Sequence, residues 1–348
     1  MTALTFTALV TGVLLTPPAT AVAKVETCQG RPATIVGSGP AVVGTPGDDV
    51  IVSGASKVVS ADAGNDLICL TYNSGPSSFE TDAGEGDDVI DASQRGPDGS
   101  VARLGSGRDR YVGGDAVDFV YADGLDDEVS TGFGYDEVDV TVVSTSTGVR
   151  GHYDAGTGPE REKFTLRGAA FDIGLDLDGP VVFEGVMAAE LAGFDKASLY
   201  AHRAVVGGNS ESNYLEASGC DLRIDGEVGN DRLFVMHPSG ADDSRPRCET
   251  SDRRTRMSGG RGKDIIYGRS GPDRIEGNAG NDRILGRDAS DVLLGGSGDD
   301  YLKGNDGRDV LRGNSGNDTL LGSSDRDTAD GNAGRDSCTA ETERTCEV

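Results

Sequence analysis

The chain has 348 residues, with 32 basic and 59 acidic side chains and a formal net charge of −27. This balance argues against a nucleic-acid partner, because phosphate binding requires a basic surface. No stretch approaches the roughly 20 apolar residues of a transmembrane segment. With 53 glycines, no tryptophan and 36% hydrophobic residues, the composition is poor for a conventional globular core. It suits a solenoid of short strands and turns.

Residues 1–23 have the features of a secretory signal peptide. An apolar run extends from Leu4 to Leu15, and a small-x-small cleavage site ends at Ala23, although the usual basic residues before the apolar run are missing. We therefore expect a secreted, extracellular protein, with association with the cell envelope left open.

Six cysteines in an exported chain indicate disulfide bonds. Many pairings are possible, and the sequence alone does not choose among them. Proximity along the chain favours Cys28–Cys69, Cys220–Cys248 and Cys338–Cys346. The last pair would hold residues 340–348 as a cap across the open end of a solenoid, where an edge strand would otherwise be exposed.

Residues 24–140 contain degenerate copies of a turn with glycine at its fourth position, aspartate at the sixth and isoleucine at the eighth. These turns place Asp49, Asp66 and Asp88 at the sixth position. Carboxylates in glycine-rich turns are oxygen donors of the kind that Ca²⁺ prefers, so we predict these three as metal ligands in a degenerate β-helix. Four later aspartates recur every nine residues without the glycine pattern, and their role as ligands stays open. They are Asp109, Asp118, Asp127 and Asp136.

In residues 141–257 the pattern thins into short β-branched runs separated by glycine and aspartate. One turn of the same kind remains, with Asp231 at its sixth position, and a related turn has Asn213 there. We predict irregular β-helix coils that continue the same solenoid, and a separate β-sandwich is the alternative. The polar segment 238–256 is predicted to be a linker or a loop held by Cys220–Cys248.

Residues 258–339 contain a regular array of nine consecutive nonapeptides, from GGRGKDIIY at Gly259 to GNAGRDSCT at Thr339. Glycine always occupies position one, and position eight is Ile or Leu in the first seven units. An aspartate occupies position six of every unit, and we predict all nine as metal ligands. They are Asp264, Asp273, Asp282, Asp291, Asp300, Asp309, Asp318, Asp327 and Asp336.

The spacing has a chemical interpretation. Six residues rich in Gly, Asn and Asp form a tight turn, and the last three form a short strand whose position-eight side chain points inward. Such a turn directs backbone carbonyls toward the carboxylate, and Ca²⁺ takes six to eight such oxygens. The array closely resembles the haemolysin-type (RTX) calcium-binding repeats. The resemblance implies an all-β, right-handed parallel β-roll or β-helix solenoid that binds several Ca²⁺ ions.

In the family's β-roll two nonapeptides form one coil, so successive turns would alternate between two edges. The sequence shows the corresponding 18-residue period. Odd-numbered turns have Gly or Asn at position two and Gly at position four, whereas even-numbered turns carry departures such as Arg269, Arg287 and Ala289. We hypothesise that the odd-edge sites, built on Asp264, Asp282, Asp300, Asp318 and Asp336, bind Ca²⁺ more tightly than the even-edge sites.

No active-site motif is present: the three histidines are isolated, and neither HExxH nor G-x-S-x-G occurs. Parallel β-helices also host polysaccharide lyases, epimerases and glycosidases, whose catalysts are often carboxylates, and residues 140–250 carry many. None of these residues can be singled out. They include Asp154, Glu160, Glu162, Asp172 and Asp195, with Arg161, Arg203 and Tyr200.

The sequence therefore predicts a secreted, non-enzymatic protein whose folding is driven by Ca²⁺ bound between stacked turns. RTX proteins commonly leave the cell through an uncleaved C-terminal signal, and the N-terminal signal expected here departs from that pattern. A carbohydrate-active enzyme and a cell-envelope adhesin remain alternatives. An extracellular protein or glycan partner is left unidentified.

Overall fold

The computed structural model is a stack of β-strands. It describes residues 26–71, 78–94, 99–142, 150–156, 162–236, 248 and 254–346. All the secondary-structure elements of these residues are β-strands. The described part of the chain contains no helix that could cross a membrane. The strands form parallel stacked coils, a β-solenoid of about 15 turns, which confirms the predicted all-β solenoid. The predicted signal peptide lies outside the described residues.

The N-terminal coils are built from short strands, because glycine-rich turns interrupt the chain every few residues. These strands are β1 (Thr27–Cys28), β2 (Arg31–Pro32), β3 (Ile35–Val36), β4 (Ala41–Val43), β5 (Val50–Val52), β6 (Val58–Ser60), β7 (Leu67–Cys69), β8 (Phe79–Asp82), β9 (Val89–Asp91), β10 (Ser100–Arg103), β11 (Arg110–Val112), β12 (Asp118–Ala122), β13 (Glu128–Ser130), β14 (Glu137–Thr141) and β15 (Gly151–Asp154).

From β3 onward the chain alternates between two parallel sheets. The odd-numbered strands β3 to β15 pair with one another in sheet A, and the even-numbered strands β4 to β14 pair in sheet B. One strand of each sheet therefore makes one coil. The first two strands, β1 and β2, form a small antiparallel ribbon at the N-terminal end.

The central region contains longer strands. They are β16 (Lys163–Asp176), β17 (Pro180–Phe183), β18 (Val186–Ala192), β19 (Lys196–Gly207), β20 (Tyr214–Ser218), β21 (Asp221–Asp225), β22 (Arg232–Val235) and β23 (Arg254–Arg261). Strands β16 and β19 each run from sheet B into sheet A, and they pair in parallel along most of their length.

An antiparallel hairpin interrupts the parallel order of sheet A in this region. Strand β17 pairs antiparallel with both β16 and β18, and β18 returns to pair in parallel with β15. Sheet A thus gains two strands that sheet B lacks. Irregular coils continue the solenoid through this region, and no pattern in the sequence indicates the hairpin.

The C-terminal array forms the most regular coils. Its strands are β24 (Ile265–Tyr267), β25 (Asp273–Ala279), β26 (Arg283–Asp288), β27 (Val292–Ser297), β28 (Tyr301–Asp306), β29 (Val310–Ser315), β30 (Thr319–Ser324), β31 (Thr328–Ala333), β32 (Ser337–Thr339) and β33 (Thr342–Arg344). Even-numbered strands continue sheet B, and odd-numbered strands continue sheet A.

Most of these strands have six residues, which is longer than the three predicted from the nonapeptide. Strand β27 continues through positions one to three of the next unit, where Gly296 and Ser297 pair with Asn278 and Ala279 of the coil below. The turns stack in register, so their first residues also make ladder hydrogen bonds. Only positions four to six remain as a turn.

A single thin apolar core runs along the solenoid between the two sheets. In the array it consists of the position-eight side chains, from Ile266 to Ala329, which are fully buried. In the central region the core contains aromatic side chains: Tyr153, Phe164 and Phe194 make edge-to-face contacts with ring centroids 5.3 to 5.4 Å apart. Elsewhere each coil contributes few apolar side chains.

All three predicted disulfide bonds are present. Cys28–Cys69 ties β1 to β7, Cys220–Cys248 holds the insertion between β22 and β23, and Cys338–Cys346 closes the C-terminal end. Most of the predicted loop 238–256 lies outside the described residues.

Candidate metal site: carboxylate ladders at the solenoid edges

The turns that lead into sheet B form the odd edge of the solenoid. Each of these turns carries its aspartate at the same position, so the aspartates of successive coils are stacked on one another. The backbone N–H of each aspartate donates to Oδ1 of the aspartate 18 residues later. Asp282 and Asp300 are joined in this way at 2.8 Å, and Asp300 and Asp318 at 2.9 Å. The same bond extends the ladder upstream through Asp231 and Asn213. This stacking is the predicted 18-residue period.

In fifteen aspartates from both edges of the solenoid, the second carboxylate oxygen, Oδ2, is fully buried and has no hydrogen-bond partner among the described residues. Burying a carboxylate oxygen without a partner is unfavourable, so a whole row of them requires an explanation. The atoms concerned are Oδ2 of Asp66, Asp88, Asp109, Asp118, Asp127, Asp136, Asp231, Asp264, Asp282, Asp291, Asp300, Asp309, Asp318, Asp327 and Asp336.

The glycine at position one is required by this oxygen. A Cβ on Gly277 would overlap Oδ2 of Asp282 and would lie 2.6 Å from the carbonyl oxygen of Gly295 in the next coil. The carboxylate of one turn and the carbonyl of the next therefore face the same point. Converging carboxylate and carbonyl oxygens are the donor set of a Ca²⁺ site.

The glycine at position four has a different reason. Gly280 has a φ of 134° and Gly298 a φ of 119°, in the region that L-residues rarely adopt. A Cβ on either residue would also overlap the carbonyl oxygen of the equivalent glycine in the coil below. Close stacking of the turns thus excludes side chains at this position of the odd edge.

The turns that lead into sheet A form the even edge, and they make the same ladder. Asp273 donates to Asp291, Asp291 to Asp309 and Asp309 to Asp327, each at 2.9 Å. At its C-terminal end, the N–H of Asp327 donates to Oε2 of Glu341 at 2.7 Å. Glu341, which sequence reasoning missed, takes the place of the next aspartate.

The N-terminal aspartates belong to the same even edge. Asp49, Asp66 and Asp88 are linked in turn by bonds of 2.8 and 2.7 Å, and the ladder continues through Asp109 to Asp127. The remaining aspartates that the sequence left open, Asp118 and Asp136, are joined to each other at 2.8 Å on the odd edge. Their nine-residue spacing was the signal for these positions, even without glycines.

All thirteen predicted ligands are buried, and the structure places each of them in one of the two ladders. They do not gather in one centre but are distributed along both edges. Asp49 differs from the others, because both of its oxygens accept hydrogen bonds, Oδ1 from Thr34 and Oδ2 from the backbone and hydroxyl of Thr45.

Burial raises the pKa of most ladder carboxyls, and hydrogen bonds from the neighbouring backbone only partly offset it. The pKa of Asp88 rises to about 6, that of Asp300 to about 7, and those of Asp109 and Asp291 to about 8. Carboxylates in the adjacent coils add to the increase. At Asp49 burial also opposes ionisation, but the bonds from Thr45 and Thr34 outweigh it and lower the pKa.

The side chains alone cannot complete a metal site. No group of three or more His, Cys, Asp or Glu side chains in the described part of the chain is arranged to hold an ion. At Asp264, Asp282 and Asp300 the buried Oδ2 atom fits a divalent cation, because a glycine carbonyl oxygen of the next coil faces the same point and would supply a further ligand. A bound Ca²⁺ would supply positive charge and additional bonds between neighbouring coils.

The described carboxylates considered for catalysis are dispersed, apart from Glu162 and Asp195, which are neighbours. Glu162 and Asp195 lie on the odd edge at the starts of β16 and β19, whereas Asp172 lies on the outer face, 3.4 Å from His202. Arg203 pairs with Asp221, Tyr200 packs against Arg167, and Oδ1 of Asp154 accepts a bond from Gly156. Glu160 and Arg161 lie outside the described residues.

Stacked parallel coils with a carboxylate at the same point of each turn define a β-solenoid repeat protein. Residues 104–138, 258–293, 285–320 and 312–341 match the model of the RTX calcium-binding nonapeptide repeat, in four copies. The chain is therefore a calcium-binding repeat protein that contains RTX nonapeptide repeats. No curated protein matches it as a relative. The first copy covers Asp109 to Asp136, whereas Asp49, Asp66, Asp88 and Asp231 lie outside the matched segments.

Proposed function

We propose that this chain is a secreted, non-enzymatic protein whose solenoid folds when Ca²⁺ binds between stacked turns of the same edge. The observation that carries the proposal is the row of buried Oδ2 atoms without a hydrogen-bond partner. At Asp264, Asp282 and Asp300 this oxygen and a glycine carbonyl oxygen of the next coil face the same point, so one cation per gap would satisfy atoms of two coils at once.

The energetics of the ladders support coupling between metal binding and folding. Neighbouring coils are separated by about 4.8 Å, and two like charges at that distance repel by roughly 1 kcal/mol even in water. In the array the opposing apolar contribution is one small column, from Ile266 to Ala329. Without metal the ionised ladders therefore oppose the fold, and bound Ca²⁺ converts binding energy into folding energy.

Two features support an extracellular location. The three disulfide bonds require an oxidising compartment. Calcium is abundant outside cells, and extracellular calcium modules bind with dissociation constants of roughly 10⁻⁴–10⁻³ M. A chain that folds only at such concentrations would stay unfolded during export. N-terminal sequencing of the protein from culture medium is expected to give a start near Lys24.

The decisive experiment is a calcium titration of oxidised residues 24–348, followed by far-UV circular dichroism. In EGTA the β signal should be weak, and it should increase cooperatively between about 0.1 and 10 mM Ca²⁺. Magnesium is the control, because it prefers a smaller octahedral site with several waters. A spectrum that is fully β in EGTA and unchanged by Ca²⁺ would contradict calcium-driven folding.

The non-enzymatic role is supported by the dispersal of the carboxylates in residues 140–250 over the edge and the outer face. Incubation of the calcium-loaded protein with uronate-containing polysaccharides is expected to give no cleavage or epimerisation. Detectable turnover that a substitution at Asp172 or Asp195 abolishes would replace the proposal with an enzymatic function.

A further inference from the structure

Arg269 occupies position two of the first even turn, and its environment differs from that of the equivalent residues in other coils. It is only 8% exposed, whereas Arg287, at the same position one coil later, is partly exposed and lies over the ring of Tyr267 at 5.6 Å. A nearly buried arginine requires partners for its charge and its N–H groups.

The guanidinium of Arg269 has an unusual set of neighbours. Its Nη1 donates to the carbonyl oxygen of Gly219 at 3.1 Å, and its Nη2 donates to that of Cys220 at 3.3 Å. Its Nε lies 3.9 Å from Oδ1 of Asp273, an oxygen without a hydrogen bond. Two backbone carbonyls and a buried carboxylate are oxygen donors of the type that would surround Ca²⁺ elsewhere in the ladders.

Arg269 lies at the N-terminal end of the even ladder of the array. On the preceding coil, the residue in register with Asp273 is Thr255 rather than an aspartate. The even ladder of the array therefore begins at Asp273, with no carboxylate on its N-terminal side. Gly219 and Cys220 lead into β21, two strands from β25 in sheet A, and the long arginine side chain spans that gap.

We propose that Arg269 is a built-in cation that takes the place of a Ca²⁺ ion at the N-terminal end of the even ladder of the array. It joins the coil of Cys220 to the first even turn at any calcium concentration. This inference rests on the proposed function, since it assigns one position that does not need metal. The coils around β21 and β25 then form a calcium-independent platform on which the calcium-dependent coils stack.

Hydrogen exchange of the full oxidised chain tests the proposal. In EGTA, residues 219–225 and 273–276 of the wild-type protein should exchange at least about tenfold more slowly than residues 292–321. Arg269→Gln should remove this protection in EGTA, and Arg269→Lys, which keeps the charge, should restore part of it. Arg287→Gln is the matched control, because it removes the same charge from the same position of the next even turn and should leave the protection unchanged.

The outcomes separate this inference from the proposed function. Equal exchange of the Arg269→Gln and Arg287→Gln variants in EGTA would overturn the role of Arg269. If wild-type residues 292–321 were as protected in EGTA as in Ca²⁺, calcium-driven folding would fail. In that case, loss of protection in Arg269→Gln alone would still show that Arg269 joins the coil of Cys220 to the first even turn. The interpretation of Arg269 as a replacement for Ca²⁺ would then fail together with the proposed function. Both proposals would be supported if Arg269→Gln lost protection in EGTA and recovered part of it at 10 mM Ca²⁺.

Discussion

The odd and even edges of the C-terminal coils make the same ladder of hydrogen bonds from different residues. On the odd edge the left-handed positions of the turns are filled by glycine or asparagine, such as Asn278 and Gly280. The even edge places Arg287, Ala289, Ser323 and Asp325 in the same region, with φ values between 76° and 92°. A left-handed conformation costs an ordinary L-residue about 1–2 kcal/mol.

This difference shows that the backbone shape of a turn is imposed by its neighbours rather than by its own residues. The second and fourth even turns adopt left-handed φ values without glycine because their backbones pair with those of neighbouring coils. Where metal binding and folding are coupled, the cost of these left-handed conformations is subtracted from the free energy of Ca²⁺ binding at the even edge. It therefore provides a physical reason for the hypothesis that odd-edge sites bind Ca²⁺ more tightly.

The largest expected effect comes from adding a methyl group to a position-four glycine. Gly280→Ala should lower the free energy of unfolding by about 3–5 kcal/mol, because its Cβ would overlap the carbonyl of Gly262 at a φ of 134°. Gly271→Ala, at position four of the first even turn, meets only Arg269 Nε at 3.6 Å and should change it by less than about 1 kcal/mol. Urea unfolding in saturating Ca²⁺ measures both, and equal losses would contradict the argument that the overlap with the neighbouring coil is the cause.

A smaller effect is expected from removing one charge from each ladder. Asp300→Asn on the odd edge should weaken the tighter class of Ca²⁺ sites by about tenfold, or about 1.4 kcal/mol. Asp309→Asn on the even edge should affect the weaker class and leave the tighter one unchanged. Calorimetric titration of the two variants resolves the classes. The hypothesis of unequal edges is wrong if both variants weaken the same sites.

Acidity should partly replace calcium. Burial raises the pKa of most ladder carboxyls in the folded state, so their protonation stabilises the metal-free fold fully below about pH 3.8, the ordinary pKa of an aspartate. This contribution is lost as the pH rises through the folded-state pKa, about 6 for Asp282 and about 8 for Asp291. In EGTA the β signal should therefore be stronger at pH 5 than at pH 8. The affinity for Ca²⁺ should instead be lower at pH 5 than at pH 8, because protons compete with Ca²⁺ for the same oxygens. A metal-free signal that increases with pH would contradict this assignment.

The smallest effect concerns the strained even turns. Ala289→Gly should stabilise the calcium-loaded protein by up to about 1 kcal/mol, since it relieves a left-handed alanine at a φ of 82°. Ala279→Gly is the control, because Ala279 in an odd turn does not have a positive φ and glycine there should destabilise by about 0.5–1 kcal/mol. Thermal unfolding of the two variants gives the signs, and stabilisation by both would remove the argument for strain.

The sequence located the ligand positions well because they depend on local chemistry. An aspartate after a glycine-rich turn is recognisable from a few residues, and Asp264 to Asp336 repeat without a break. Glu341 could not be found in this way. It follows Asp327 by 14 residues rather than 18, and only the folding of the disulfide-closed end brings it to the ladder. Likewise, no sequence repeat predicts the hairpin of β16, β17 and β18.

The sequence by itself determined the coil: its nine-residue period, the buried position-eight side chain and the turn that points an aspartate inward all follow from residues close along the chain. Tertiary structure decided which turns stack on which, because the linked carboxylates of one edge are 14 to 33 residues apart and meet only after a full coil has closed. That stacking leaves most of the Oδ2 atoms without a partner, raises the pKa of most ladder carboxyls and brings Arg269 to the carbonyls of Gly219 and Cys220. These properties belong to pairs of coils, and no single repeat contains them.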